Sequence, residues 1–205
     1  MPKMISYPTM LLAIALSCCA CARTASTGGA ATTLGSSQPP SGAQTAQTAA
    51  GELKSKVPAG WATEQPSSAM RKAQYKLPKV EGDSEDAELV LYFFGTGQGG
   101  TVQANIDRWV DQMQQADGSA SKEKAKIETL IVNGLKVTTV DVGGTYTAQM
   151  SPGSDKHYDN RNSRLRAAVV ETPKGNYFAK LIGPEKTVSR WDQSFNEYVK
   201  SFEFK

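Results

Sequence analysis

The sequence predicts an α+β domain with a central, mostly antiparallel sheet flanked by two amphipathic helices, set behind an N-terminal leader and a tether. Three observations carry this. Strand-type runs meet at turn signals, Asn133-Gly134 and Pro173-Lys174-Gly175, so neighbouring strands should pair as hairpins. Two stretches, near 102–113 and 188–199, repeat apolar residues at helical spacing. Residues 22–56 are dominated by Ala, Thr, Ser, Gly, Gln and Pro, too poor in apolar side chains to offset the entropy of ordering. The expected organisation is a leader over 1–17, a disordered tether over 18–56 and one globular domain over 57–205.

The elements follow in order. Ala73, Tyr75 and Leu77 alternate with Lys72, Gln74 and Lys76, the period of a half-buried strand, and Pro78 ends it. Ala87 to Phe94 is a nearly continuous apolar run, expected to be a strand buried on both faces. Gly95-Thr96-Gly97-Gln98-Gly99-Gly100 leads into a helix capped by Thr101, with Val102, Ile106, Trp109, Val110 and Met113 on one face. Ala116-Asp117-Gly118-Ser119 ends that region, and Ser119 to Lys126 reads as a solvated connection of mixed charge. Ile127 to Val132 and Leu135 to Val142 form one hairpin. Gly143-Gly144 interrupts the second run, and Thr145-Tyr146-Thr147 continues it across a bulge. Ser151 to Ser163 is a polar loop. Leu165 to Thr172 and Asn176 to Ile182 form a second hairpin. Pro184 then suits the first turn of a last helix, with Val188, Trp191, Phe195 and either Tyr198 or Val199 on its buried face.

This order of elements resembles the PsbP-like fold, shared by thylakoid-lumen photosystem proteins, a nuclear-import factor and DcrB-type bacterial envelope lipoproteins. The resemblance implies a sheet closed by the last helix, and relatives that bind or assemble. It implies no particular ligand.

The leader says where the chain is held. Lys3, the apolar run Met10 to Leu16 and the small residue Ser17 form a secretory signal, too short to span a bilayer. Ala15-Leu16-Ser17-Cys18 resembles a bacterial lipobox, which implies a diacylglycerol thioether on Cys18. Cys21 is a second candidate. Cys19 fits poorly, because Cys18 would fill its small-residue position. An ordinary signal cut near Ala22 is the alternative. Cys19 would follow a lipidated Cys18. With no Asp at that place, the lipoprotein sorting pattern implies the outer membrane, facing the periplasm. A tether of about 35 residues reaches roughly 30 Å.

Composition excludes several classes. All three cysteines lie in the leader cluster, so the body holds no disulfide, thiol nucleophile or zinc-type cysteine set. The chain has 23 Lys+Arg against 20 Asp+Glu, for a net charge of +3. They are mixed along the body, without the basic footprint of a nucleic-acid binder or a polybasic membrane patch.

Candidate sites are few. Gly95 to Gly100 matches G-x-G-x-x-G between a strand and a helix, the context of a dinucleotide-binding turn. But no acidic residue ends the next strand near Val132, Asp141 is too distant, and hairpins follow in place of βαβ crossovers. A plain glycine connection is expected, with no cofactor. His157 is the only histidine. With Asp155 and Asp159 it could face a metal, but its loop is hydrophilic, so a solvated histidine is expected and no metal. Trp61, Trp109 and Trp191 read as core anchors. Glu64, Asp107, Asp141 and Glu171 form no recognisable pair. The expected function is therefore a lipid-anchored, non-catalytic binding or assembly module with an envelope protein partner. A periplasmic carrier of a small apolar ligand, with a cavity under Trp109 or Trp191, is the alternative. A hydrolase or nucleotide-binding enzyme is the third reading.

Overall fold

Alternation along the strands builds a sheet with two apolar faces, and helices cover both. The computed structural model describes residues 51–205. Cys18, Cys19, Cys21 and most of the expected tether lie outside the described residues. In chain order the elements are β1 (Leu53–Lys54), β2 (Ala62–Glu64), β3 (Arg71–Leu77), β4 (Ala87–Phe93) and α1 (Val102–Asp111). There follow β5 (Met113–Gln114), α2 (Ser121–Lys124), β6 (Lys126–Val132), β7 (Leu135–Tyr146), β8 (Asn160–Thr172) and β9 (Gly175–Pro184). The last are α3 (Glu185–Arg190), α4 (Asp192–Lys200) and β10 (Glu203–Phe204).

The main sheet runs β2-β3-β4-β9-β8-β7, and both β6 and β5 lie on the outer side of β7. Its pairings are all antiparallel. This is the predicted α+β class. β7 and β8 outrun the expected strands because β7 continues past Gly143 and Gly144 to Tyr146, with a register shift between Gly144 and Tyr146. Asn133 and Gly134 take φ of 47° and 82°, the pair of positive values a type I′ hairpin needs.

Side chains divide by parity. Tyr75, Leu77, Ala87, Leu89, Leu91, Val137, Ala168, Val170, Ala179 and Leu181 pack on one face with Val188, Phe195, Tyr198, Val199 and Phe202 of the C-terminal helices and the turn after them. Val140, Val142, Leu165, Ala167, Val169 and Phe178 pack on the other with Ile106, Trp109 and Val110 of α1. The double-sided burial read from Ala87 to Phe94 follows from this sandwich.

The structure departs from expectation in four places. First, α1 stops at Asp111, and Met113 reaches the core as part of β5, which pairs Tyr146 of β7. Second, a single turn of helix, α2, interrupts the charged connection after Ser119. Third, β9 runs through Pro184, and the last helix divides at Trp191 into α3 and α4. Among the described residues four helical segments therefore stand where two were expected. Trp191 at the break is only half-buried, while Tyr198 and Val199 are both buried. Fourth, the folded body begins before Val57. Leu53 is buried, β1 pairs β10, and Lys56 N donates to Ser201 Oγ at 2.9 Å. Composition hid this, because one apolar residue in a polar stretch leaves no periodic signal.

The C-terminal helices are tied to the sheet by charge as well as packing. Arg166 of β8 is buried and bonds Asp192 and, at 3.0 Å, Asn196 Oδ1. Its guanidinium stacks on the Phe195 ring at 4.7 Å. Arg164 grips Asp141 of β7 through two bonds of 2.8 and 2.5 Å and reaches Ser189 Oγ at 3.0 Å.

Candidate functional site

The apolar stripe of α1 faces the sheet, so its polar flank is left to solvent. Thr101 caps the helix, accepting from Ala104 N at 3.1 Å. Beyond its C-terminal end the chain turns sharply into β5. Thr147 N donates to Gln112 O at 2.8 Å, which fastens the end of α1 to the connection between β7 and β8. That connection folds on itself: Tyr158 N donates to Ala148 O at 2.9 Å and Met150 N to Lys156 O at 3.0 Å. The result is an open cleft of about 890 Å³. One wall is Asp107, Arg108 and Asp111 of α1, the other is Ala148, Gln149 and His157, and Gln112 and Tyr146 close its inner end.

Behind that inner end sits Lys180. Its strand, β9, is central, flanked by β4 and β8, and its side chain emerges on the α1 face. The Nζ donates to Gln112 Oε1 at 2.7 Å and to Tyr146 Oη at 3.0 Å, and lies 4.9 Å from the centre of the Tyr146 ring. Both acceptors are neutral. Among the described residues no carboxylate stands within ion-pair distance of Lys180 or of Arg108. Burial, reinforced by the Arg108 charge and opposed by Glu88, brings the Lys180 ammonium down to about 8. Burial pushes the Tyr146 phenol up to about 12. A desolvated cation held by neutral groups beside a second cation is a place where an anion gains much. Sequence reading passed over Lys180, because a lysine inside Tyr177-Phe178-Ala179-Lys180-Leu181 looks like the solvent-facing beat of an alternating strand. That its strand is central depends on the sheet order, which no local signal in the sequence gives.

Of the residues singled out from sequence, Asp107 and His157 line opposite walls of the cleft, and the others lie elsewhere. His157 lines the cleft but is exposed, with Nδ1 3.2 Å from Asp155 O. Asp155 and Asp159 are exposed beside it, and among the described residues no group of three His, Cys, Asp or Glu side chains is placed to hold a metal ion. The four carboxylates do not meet. Glu64 pairs Lys76 at 3.0 Å, Asp107 accepts from Gln103 at 2.9 Å, Asp141 pairs Arg164 and Glu171 pairs Lys136 at 3.0 Å. The glycine run is a packed turn. A Cβ on Gly99, at φ 88°, would stand 2.7 Å from the Phe178 ring, and Asn105 Nδ2 donates to Gly99 O at 2.8 Å. The glycine there is required by that close approach to the core. Trp61 is buried against Tyr75 and Tyr198. Trp109 is buried edge-on to Phe178. The Trp191 ring lies against Gly60 and donates from Nε1 to Pro78 O at 2.9 Å.

No protein-family model matches the sequence, and no curated protein matches it. Among solved structures, cyanobacterial PsbP (CyanoP) from Synechocystis sp. PCC 6803 is similar with a TM-score of 0.42 and 14% identity, over 78% of this chain and 96% of that one. A protein of unknown function from Pseudomonas aeruginosa, PA94, is similar with a TM-score of 0.40 and 12% identity, over 69% of this chain and 94% of that one. At these levels the likeness says nothing of ligand or partner. Among the described residues no helix is long and apolar enough to cross a membrane.

Proposed function

We propose that this is a lipid-anchored envelope protein whose domain is a non-catalytic binding module, and that the cleft between α1 and the β7–β8 connection is its binding site. The ligand is a small molecule or chain end bearing a carboxylate or phosphate. One observation carries the reading: Lys180, with no carboxylate at ion-pair distance among the described residues, is bonded to Gln112 and Tyr146, which line a preformed cleft that Arg108 shares with Asp107 and Asp111. A buried ammonium without a counter-ion weakens a fold. Lys180 stands at a central strand position where Met or Leu would pack without that cost. Bound anion would displace the Gln112 amide oxygen as the acceptor for Nζ, and Tyr146 Oη–H would donate to it.

Titration with acetate and with inorganic phosphate, followed by amide shifts of Gln112 and Tyr146, tests the site. Saturable shifts that vanish in Lys180→Met support it, and the more potent anion identifies the class. Shifts that persist unchanged in that variant refute it. The anchor has its own test. Cys18→Ser should move the protein from the membrane pellet to the soluble fraction, and retention of the lipid on a Cys21-containing peptide would move the attachment point.

A further inference from the structure

Among the described residues β6 has one strand partner, β7, and its outer edge faces no strand. Natural sheets blunt such edges with proline, bulges or charged side chains, lysine above all. β6, with the sequence Lys-Ile-Glu-Thr-Leu-Ile-Val, has no proline, and its register with β7 is unbroken from Lys126↔Asp141 to Val132↔Leu135. Its two charges pair with each other, Lys126 Nζ to Glu128 Oε1 at 3.0 Å. Two isoleucines on one face are left in water, Ile131 at 69% exposure and Ile127 at 44%.

We propose that this edge pairs antiparallel with the same edge of a second copy of the chain, with Thr129 on the two-fold axis. The sequence of the strand selects that register. It sets Ile127 of each copy opposite Ile131 of the other, so all four exposed isoleucine side chains gain cross-strand partners. Thr129 meets Thr129, Glu128 meets Leu130 and Lys126 meets Val132. A two-fold at Glu128 would face two carboxylates, which is destabilising. A two-fold at Leu130 would push Ile127 past the end of the strand. The closed two-fold contact also removes the free edge that would otherwise recruit further chains. A seven-residue edge gives an interface at the small end, below about 1,200 Å², so the dimer is weak, with half-association on the order of 100 µM.

Sedimentation velocity of the full-length chain in a density-matched detergent, over rising concentration, is the test. Wild type should pass reversibly from monomer to dimer, and the β6 amides should exchange more slowly as the dimer fills. Ile131→Lys, with a wild-type circular dichroism spectrum, should stay monomeric, and Ile127→Lys serves if it does not fold. Ala62→Lys, on the exposed far edge at β2, should dimerise as wild type does. Wild type that remains monomeric at every concentration overturns the proposal. So does a dimer that survives Ile131→Lys or that is lost in Ala62→Lys, since either places the contact elsewhere.

Discussion

Lys180 carries a desolvation cost that Gln112 and Tyr146 only partly offset. The sign of its effect on stability follows from its lowered pKa. Below about pH 8 it is charged in both folded and unfolded chain, and the folded state bears the full penalty of burial. Between about pH 8 and the unfolded lysine value of about 10.4 the folded state is neutral while the unfolded state still holds its proton. Stability contributed by this residue therefore rises across that window. The tyrosines act oppositely: Tyr75, Tyr146 and Tyr198 are raised by burial, so their share is present below about pH 10 and lost above it. Urea midpoints of wild type and Lys180→Met separate the two. Lys180→Met should be as stable as wild type or more so at pH 7, and the gap should close by pH 10. A loss of several kcal/mol at pH 7 would mean the ammonium is a structural tie. The same comparison ranks the aromatic residues of the last helices. Phe195 is fully buried, so Phe195→Ala should cost about 3–5 kcal/mol. Trp191 is half-buried at the α3–α4 break and should cost less, while Gln193→Ala, on the exposed face, should stay within about 0.5 kcal/mol of neutral.

At the scale of elements, most of the fold was legible because its signals are local. The Asn133-Gly134 turn, the alternation in Ala73 to Leu77 and the apolar run from Ala87 each specify an element without help from the rest of the chain. The parts that escaped are those whose reason is tertiary. β1 and β5 are two residues long and exist because β10 and Tyr146 lie beside them. The division of the last helix at Trp191 reflects the need to seat α4 on Arg166 while α3 stays over β8 and β9. The candidate cleft escaped for the same reason, since Lys180, Gln112 and Tyr146 are far apart in sequence and are brought together by the β5–β7 pairing and the β7-β8-β9 order of the sheet. Two predictions belong here. Arg166→Ala should destabilise by about 2 kcal/mol, because Asp192 loses one of its two arginine partners, Asn196 its donor and Phe195 its stacked cation. Leu53→Ala should lower the thermal midpoint by several degrees, the direct check that residues N-terminal of Val57 belong to the folded body.

At the scale of the whole molecule, a sheet covered on both faces leaves its ends and edges as the places where function can sit. One edge carries the β6 strand, and one end carries the cleft with its buried cation. The proposed anchor would set the proposed anion-binding cleft near a membrane surface, where anionic groups are abundant. The anchor, the cleft and the edge are separable: Cys18→Ser, Lys180→Met and Ile131→Lys should each remove one property and leave the other two. The most direct measurement of the central claim is the titration of Lys180 itself, through its side-chain carbon and nitrogen resonances, without and with saturating phosphate or acetate. A midpoint near 8 in the free protein, moving upward when the anion is present, is the predicted result. A midpoint at the ordinary lysine value of about 10.4, unmoved by either anion, would contradict it.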